Sequence, residues 1–309
     1  MFEYLKAVQI IFSLAIALFF LTYLIIPKVA KVLKARIKYG IDVHKPQRPK
    51  VAECGGIVIL FSISIFLLFA YMMLGDIRIV YVMLVAMMFS LYGLVDDIVR
   101  LGKYQKLIVS FAIAAVGTFL YGATGLFFIL SILFLIAASN IFNIFAGLNG
   151  LEIGFSTIIA FFFAAASFLL SQAAPFFMSV GMFLVLLAFL LHNKYPARIF
   201  PGDVGTLLIG GFFASMTLYY GMYIVLVPLL GIHILDCLFK GCSSGYFSSH
   251  EKKPTKILGN GMLKPRDDFL SVVRMLLKIK PMTEKMVVKI LWSFEILIGI
   301  ATVSILVII

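Results

Sequence analysis

The sequence predicts an all-α polytopic membrane protein of about ten transmembrane helices, with both termini outside and the polar loops inside. Three observations carry this. Of 309 residues, 63% are hydrophobic and 13% charged, where a soluble domain is roughly half apolar. The charges are clumped between long apolar runs. Finally, 24 of the 26 lysines and arginines fall in alternate loops, the signature of the inner side.

A spanning helix needs about 20 mainly apolar residues. Such runs stand at 7–27, 55–74, 79–95, 107–121, 126–140, 152–171, 175–191, 204–220, 222–238 and 289–309. The first ends in Pro27-Lys28 without a small-residue cleavage site, so it reads as a span rather than a removable leader. With the N-terminus outside, the inner segments are 28–50, 96–106, the turn after Asn140, 192–203 and 239–288, with Lys289 at its edge. Only Lys6 and Arg78 are left on the outer side. Residues 1–309 form one membrane domain.

The final inner loop, 239–288, has structure of its own. Thr255–Leu258 and Met262–Leu263 flank Gly259-Asn260-Gly261, which predicts a small hairpin. Phe269, Val272, Val273, Leu276 and Leu277 recur at helical spacing, with Ser271, Arg274 and Lys278 on other faces. Asp267-Asp268 opens this run and Pro281 closes it, which suggests a helix lying on the inner membrane surface.

Other classes fit the placement less well. A net charge of +12 would suit nucleic acid, but the basic residues lie between spans. Three cysteines, Cys54, Cys237 and Cys242, are too few for a disulfide framework and read as free thiols. A transporter would set its ionisable groups near the midplane, often in repeated halves. Here the acids gather at inner helix ends and no repeat is visible.

Only 14 residues are acidic, so their positions are informative. Asp96-Asp97 ends the third span, where carboxylates oppose the helix dipole and need cations or a metal beside them. Arg100, Lys103 and Lys106 follow, and Lys45, Arg48 and Lys50 lie in the first inner loop. Asp203, at a helix start, reads either as a cap or as a functional acid. Asn140 and Asn143 share a helix face, and the Gly147/Asn149/Gly150 turn lets backbone approach a ligand before Glu152. Acids, carboxamides and lysines on one face suit Mg²⁺ with a diphosphate, because Mg²⁺ takes hard oxygen ligands and shares them with phosphates.

These pieces carry a resemblance. Arg48-Pro-Lys-Val-Ala-Glu53-Cys-Gly-Gly56, Asp96-Asp97 followed by Lys106, Asn140 through Glu152, Phe200-Pro-Gly-Asp203-Val-Gly205 and a long basic final loop occur in that order. Along essentially its whole length the chain resembles the polyprenyl-phosphate N-acetylhexosamine-1-phosphate transferase family. Ala146-Gly-Leu-Asn-Gly-Leu-Glu152 looks like the turn of its archaeal and eukaryotic dolichyl-phosphate N-acetylglucosaminephosphotransferases. The final loop departs from the family, offering His250 alone where the bacterial branches carry a histidine cluster and the eukaryotic enzymes an arginine-histidine-arginine run.

The resemblance implies transfer of N-acetylglucosamine-1-phosphate from UDP-N-acetylglucosamine to a polyprenyl or dolichyl phosphate, releasing UMP, the first step of lipid-linked glycan assembly. It implies Mg²⁺ on Asp203 and Asn143, with Mn²⁺ able to substitute. Asp96, Asp97 and Lys106 would be catalytic. Asn140, Asn149, Gly150, Glu152, Glu53, Arg48, Lys103 and, in the final loop, Lys252 would bind substrate. Direct attack by the lipid phosphate is favoured over an aspartyl-phosphate intermediate. The resemblance further implies a prokaryotic, archaeal plasma membrane with a cytoplasmic active site, and it allows a homodimer. The alternatives are a phospho-N-acetylmuramoyl-pentapeptide transferase and, in another class, a transporter.

Overall fold

The computed structural model describes residues 2–145, 147–244, 255–259, 261–265 and 270–308. In order these form α1 (Phe2–Arg36), β1 (Tyr39–Ile41), β2 (Lys50–Ala52), α2 (Gly56–Leu74), α3 (Ile77–Val99), α4 (Lys103–Tyr121), α5 (Gly125–Phe145) and α6 (Leu151–Leu169). They continue with α7 (Ala173–Asn193), α8 (Gly202–Tyr220), α9 (Tyr223–Leu229), α10 (Gly231–Ser244), β3 (Thr255–Ile257), β4 (Leu263–Pro265), α11 (Val272–Ile279) and α12 (Glu284–Ile308).

Among these residues, eight helices are long and apolar enough to cross a membrane, α1 to α7 and α12; α9 with α10 makes a ninth, bent by 54°. The remaining expected span, 204–220, corresponds to α8 and differs in kind. It has 19 residues and is buried along almost its whole length. It packs against α3, α5 and α2, so its surface is set by protein neighbours rather than by lipid. Outward-facing Phe61, Ile108, Phe119 and Leu126 supply the apolar exterior expected of the surrounding helices.

Two expectations about helix ends are corrected. The run 222–238 is not one straight helix but breaks at Leu230. Pro228 has no N–H for the preceding turn and its ring crowds that turn's carbonyl. Pro27, conversely, does not end α1, which continues to Arg36 and carries Lys28, Lys31 and Lys34 on helix rather than loop. A membrane helix tolerates such a proline when neighbours re-satisfy the freed carbonyl.

The central crossing of α3 and α8 depends on small residues. A Cβ on Gly93 would stand 2.4 Å from the carbonyl oxygen of Asp203, inside any tolerable contact. One turn away, Ser90 Oγ donates to the Val204 carbonyl at 3.0 Å. Small residues let membrane helices approach where no hydrophobic driving force separates protein from lipid. On the opposite face, Asp76 caps α3, and Arg78 forks onto its carboxylate at 3.0 and 2.8 Å.

The polar face carries both hairpins. Tyr39 pairs with Ala52 in β1–β2, and Thr255 with Pro265 in β3–β4, the hairpin expected around Gly259 and Gly261; Asn260 lies outside the described residues. The surface helix is shorter than expected, beginning at Val272 with Ser271 as its cap, while Asp267, Asp268 and Phe269 lie outside the described residues. Arg274, expected on a polar face, is instead buried on the side of Val273 and Leu277, and Met275 and Ile279 face outward. The segment just after α1 and the start of α12 both contact the polar face, through Lys38 and Glu284, so the far ends of these two helices lie on the other side.

Gly93→Val should force α3 and α8 apart. Overpacking of this kind costs about 1–3 kcal/mol, so the unfolding midpoint in detergent should fall and Asp203 should be displaced. An unchanged midpoint would show that the crossing yields freely.

Candidate active site

The last turn of α3 presents Asp96 and Asp97, both buried, at the helix end where negative charge is least favoured. Each is therefore neutralised from another element. Asp96 Oδ1 accepts the Leu101 N–H at 2.9 Å, and its Oδ2 pairs with Lys106 at 2.5 Å from the first turn of α4. Asp97 Oδ1 faces Lys38 Nζ at 3.4 Å, and its Oδ2 accepts the Val204 N–H at 3.1 Å. Asp97 thus caps α8 from outside. The local cap position of α8 is Pro201, which has no side-chain acceptor.

Asp203 does not cap its own helix; its carboxyl lies against Asp96, with Asp97 and Lys106 nearby. One turn along α8, Thr206 Oγ1 donates to Asn143 Oδ1 at 3.1 Å. Asp96 and Asp97 of α3, Lys106 of α4 and Asp203 of α8 meet at one point, and Asn143 of α5 joins α8 one turn further along, at Thr206.

The 48–56 segment is held there by backbone pairing. Phe200 N–H donates to Ala52 O at 2.8 Å, Gly55 N–H to Phe200 O at 2.9 Å, and Gly56 N–H to Pro201 O at 2.7 Å. This fixes Glu53 beside Lys38, 3.4 Å away. Burial raises the Glu53 carboxyl above its ordinary value and Asp97 adds to that, against the pull of Lys38. Burial works against the Lys38 charge, yet Glu53 and Asp97 together hold it above the ordinary lysine value. Lys38 was missed in the sequence, where it is one of eight basic residues between 28 and 50. Its only signal was its place directly after a helix whose polar end reaches the acids.

Other expected ligands are placed elsewhere. Asn140 spends its amide on the Ile136 carbonyl of its own helix, at 2.9 Å. Asn149 is buried, its amide donating to Asp42 at 2.9 Å and its backbone N–H to Glu284 at 2.6 Å. Gly150, with φ of 77°, closes on Lys194, whose Cα would lie 3.1 Å from an added Cβ. These two make a joint rather than an open ligand cradle, because the turn has to bury its polar groups against α12 and the first loop. Glu152 also points inward, accepting from Ser156 Oγ at 3.1 Å and facing His233 at 3.4 Å. Arg48 and Lys103 are exposed, on the β1–β2 loop and the first residue of α4. Lys252 and His250 lie outside the described residues.

The joint has its own charge logic. Asp42 accepts from Asn149 and pairs with the buried Lys45, whose ammonium also sits 4.6 Å over the Tyr195 ring. Burial pushes the Asp42 carboxyl up, but the hydrogen bonds from Lys45 and Asn149 outweigh it and hold it below its ordinary value. A depressed carboxyl stabilises the fold above its unfolded pKa, and that stability is lost as pH falls through the folded one. Asp42→Asn should therefore cost roughly 3 kcal/mol at neutral pH, as expected for stranding a buried partner charge. The gap from wild type should close below about pH 4, the ordinary range of an aspartate. A deficit that persists unchanged in acid would contradict this assignment.

Comparison with known proteins identifies the family. The profile of the family described as Glycosyl transferase family 4 matches residues 79–221, from the start of α3 to the end of α8. A protein of Methanocaldococcus jannaschii described as a glycosyltransferase is 35% identical over 87% of this chain and 88% of its own length. A protein of Saccharolobus solfataricus, named as a UDP-N-acetylglucosamine–dolichyl-phosphate N-acetylglucosaminephosphotransferase, is 28% identical over 92% of this chain and 93% of its own. A Clostridium botulinum phospho-N-acetylmuramoyl-pentapeptide-transferase is 28% identical over 66% of this chain and 72% of its own. With its membrane helices, the acid–lysine cluster inside the matched segment and a relative similar along nearly its whole length, this chain is a transferase that belongs to glycosyl transferase family 4.

Proposed function

We propose that the chain transfers N-acetylglucosamine-1-phosphate from UDP-N-acetylglucosamine to a polyprenyl or dolichyl phosphate, giving lipid-diphosphate-N-acetylglucosamine and UMP. The carrying observation is the crossing of α3 and α8, where Asp96, Asp97 and Asp203 converge with Lys38 and Lys106 at the edge of the membrane region. Two phosphate-bearing substrates, one water-soluble and one lipid, can meet only at such a boundary. The full-length likeness to the Saccharolobus protein favours this donor, while the muramoyl-pentapeptide transferases align over a smaller share of the chain.

The donor set fits a divalent metal of the Mg²⁺ type. Every candidate ligand is a hard oxygen, and three carboxylates meet two ammonium groups within ion-pair distance or close by, leaving negative charge to be balanced. Among the described residues no three His, Cys, Asp or Glu side chains are grouped so as to hold a metal by themselves, so substrate phosphates would have to complete its shell. Asp203 and Asn143 would hold it, and when bound it would neutralise charge on the departing UMP.

In the reaction an oxygen of the lipid phosphate attacks the donor's β-phosphorus, and the bond to UMP breaks with its electron pair. Lipid phosphate has a second pKa near 6 and is largely dianionic at neutral pH, so no strong base is needed. Lys106 and Lys103 steady the phosphates, with Lys106 aimed by Asp96. The oxygens of Asp97 are engaged by Lys38 and the Val204 N–H, which suits a positioning carboxylate rather than a nucleophile. Following the 24 basic residues of the polar face, we assign it to the cytoplasmic side of a prokaryotic, archaeal-type plasma membrane.

Purified protein given labelled UDP-N-acetylglucosamine, polyprenyl phosphate and Mg²⁺ should form labelled lipid, and a chelator should stop it. Asp203→Asn should slow turnover by about a hundredfold or more, the scale of losing one transition-state charge contact. Product only from a UDP-muramoyl-pentapeptide donor would favour the other transferase, and turnover unaffected by chelator would remove the metal.

A further inference from the structure

Away from the α3–α8 crossing, three ionisable side chains are buried inside the bundle. Glu152 on α6, His233 on α10 and Glu295 on α12 are 3%, 0% and 0% exposed. His233 Nε2 stands 3.4 Å from Glu152 Oε2, an ion-pair distance. Glu295 lies on the face of α12 that meets α6, between Trp292, which packs on Gly154, and Gly299, which packs on Phe162. Among the described residues, no hydrogen bond reaches either His233 nitrogen, Glu152 Oε2 or either Glu295 oxygen. The walls are apolar rings: His233 lies 4.4, 5.1 and 5.3 Å from the centroids of Phe145, Phe142 and Phe155. Across from them, Trp292 fills the space beside Gly154, where an added Cβ would come within 2.2 Å of the indole.

Two carboxylates and a neutral imidazole would place a charge of minus two in this ring, without compensation. An isolated carboxylate in such surroundings costs several kcal/mol and takes up a proton instead. The charged groups on the packed elements offer no relief. Asp236 and Lys240, a turn or two along α10, pair with each other at 2.6 Å. Glu284, at the start of α12, is bonded to Asn149, and α5 contributes only phenylalanines here. Arg274 of α11 has interactions of its own, and Cys237, also on α10, is half-buried. Of the arrangements with zero net charge, the one that uses the 3.4 Å contact has imidazolium His233 against ionised Glu152, and Glu295 as the neutral acid.

We propose that Glu152, His233 and Glu295 form a membrane-buried proton site, with Glu295 protonated and the Glu152–His233 pair latching α10 to α6. The consequence lies in α10. His233 sits three residues after the break at Leu230, and the same helix carries Asp236, which accepts the Val272 N–H at 2.8 Å, and Lys240, which donates to the Ile144 carbonyl at 2.5 Å. Ile144 adjoins Asn143. Loss of a proton from the trio repels two carboxylates, loosens α10 and with it the seating of α11 and the α5 end.

The test uses the whole protein in detergent. At neutral pH its infrared spectrum should contain the band of a protonated carboxylic acid that Glu295→Gln removes, and Glu295→Gln should keep activity within about twofold, being the permanent mimic of the neutral acid. On raising the pH, alkylation of Cys237 should accelerate more in wild type than in Glu295→Gln, since only wild type can lose that proton. His233→Gln should lower the unfolding midpoint and remove the difference in pH dependence. An unchanged carboxylic-acid band in Glu295→Gln would overturn the proton site. Equal pH dependence of Cys237 alkylation in the two proteins would overturn the latch. Neither readout depends on the identity of the sugar donor.

Discussion

The structure turns on the carboxylate of Asp97, which receives a backbone N–H of α8 on one oxygen and the ammonium of Lys38 on the other. An acid at a helix C-terminus and a helix N-terminus lacking its own cap are each unfavourable alone. Joined, each supplies what the other lacks. The bond can form only because Gly93 lets the two backbones meet, and the same approach delivers Asp203 beside Asp96. An added side chain at Gly93 and a change at Asp97 are therefore expected to disturb the same geometry by different routes.

Around this crossing the chain spends its few charges in alternation. Asp96 meets Lys106, Asp97 meets Lys38, and Lys38 in turn meets Glu53, which backbone pairing between Ala52–Gly56 and Phe200–Pro201 holds in place. In a partly dehydrated setting an unpaired charge is costly, so the surplus of acid over base at this point is a demand for a cation. Under the proposed function, polyanionic substrates brought with a divalent ion would satisfy that demand. The second polar cluster, of Asp42, Lys45, Asn149 and Glu284, answers a different need by tying the first loop, the α5–α6 turn and the start of α12 together.

Much of this was legible in the sequence. Lengths of apolar residues and the bias of lysine and arginine define the spans and their common polar face, since lipid imposes both. Asp96, Asp97, Lys106, Asn143 and Asp203 stood out because acids and carboxamides at helix ends need partners. The direction of side chains was not legible. Asn149 and Glu152 occupy the same short turn as expected ligands, yet one bonds Asp42 and the other turns to His233 inside the bundle. Periodicity cannot reveal this, because it depends on which helices flank the turn. Lys38 was hidden for the opposite reason, as one ordinary cation among many. The central placement of α8 and the break before α10 likewise arise from packing and from Pro228, not from hydropathy.

The central claim is that the paired aspartates position the reactants and do not take up the sugar-phosphate themselves. Incubating the purified protein with UDP-N-acetylglucosamine labelled at the β-phosphorus, without any lipid phosphate, tests this most directly. The account predicts no release of UMP and no label on the protein until lipid phosphate is added. A burst of UMP with label retained on a peptide containing Asp96 or Asp97 would contradict it.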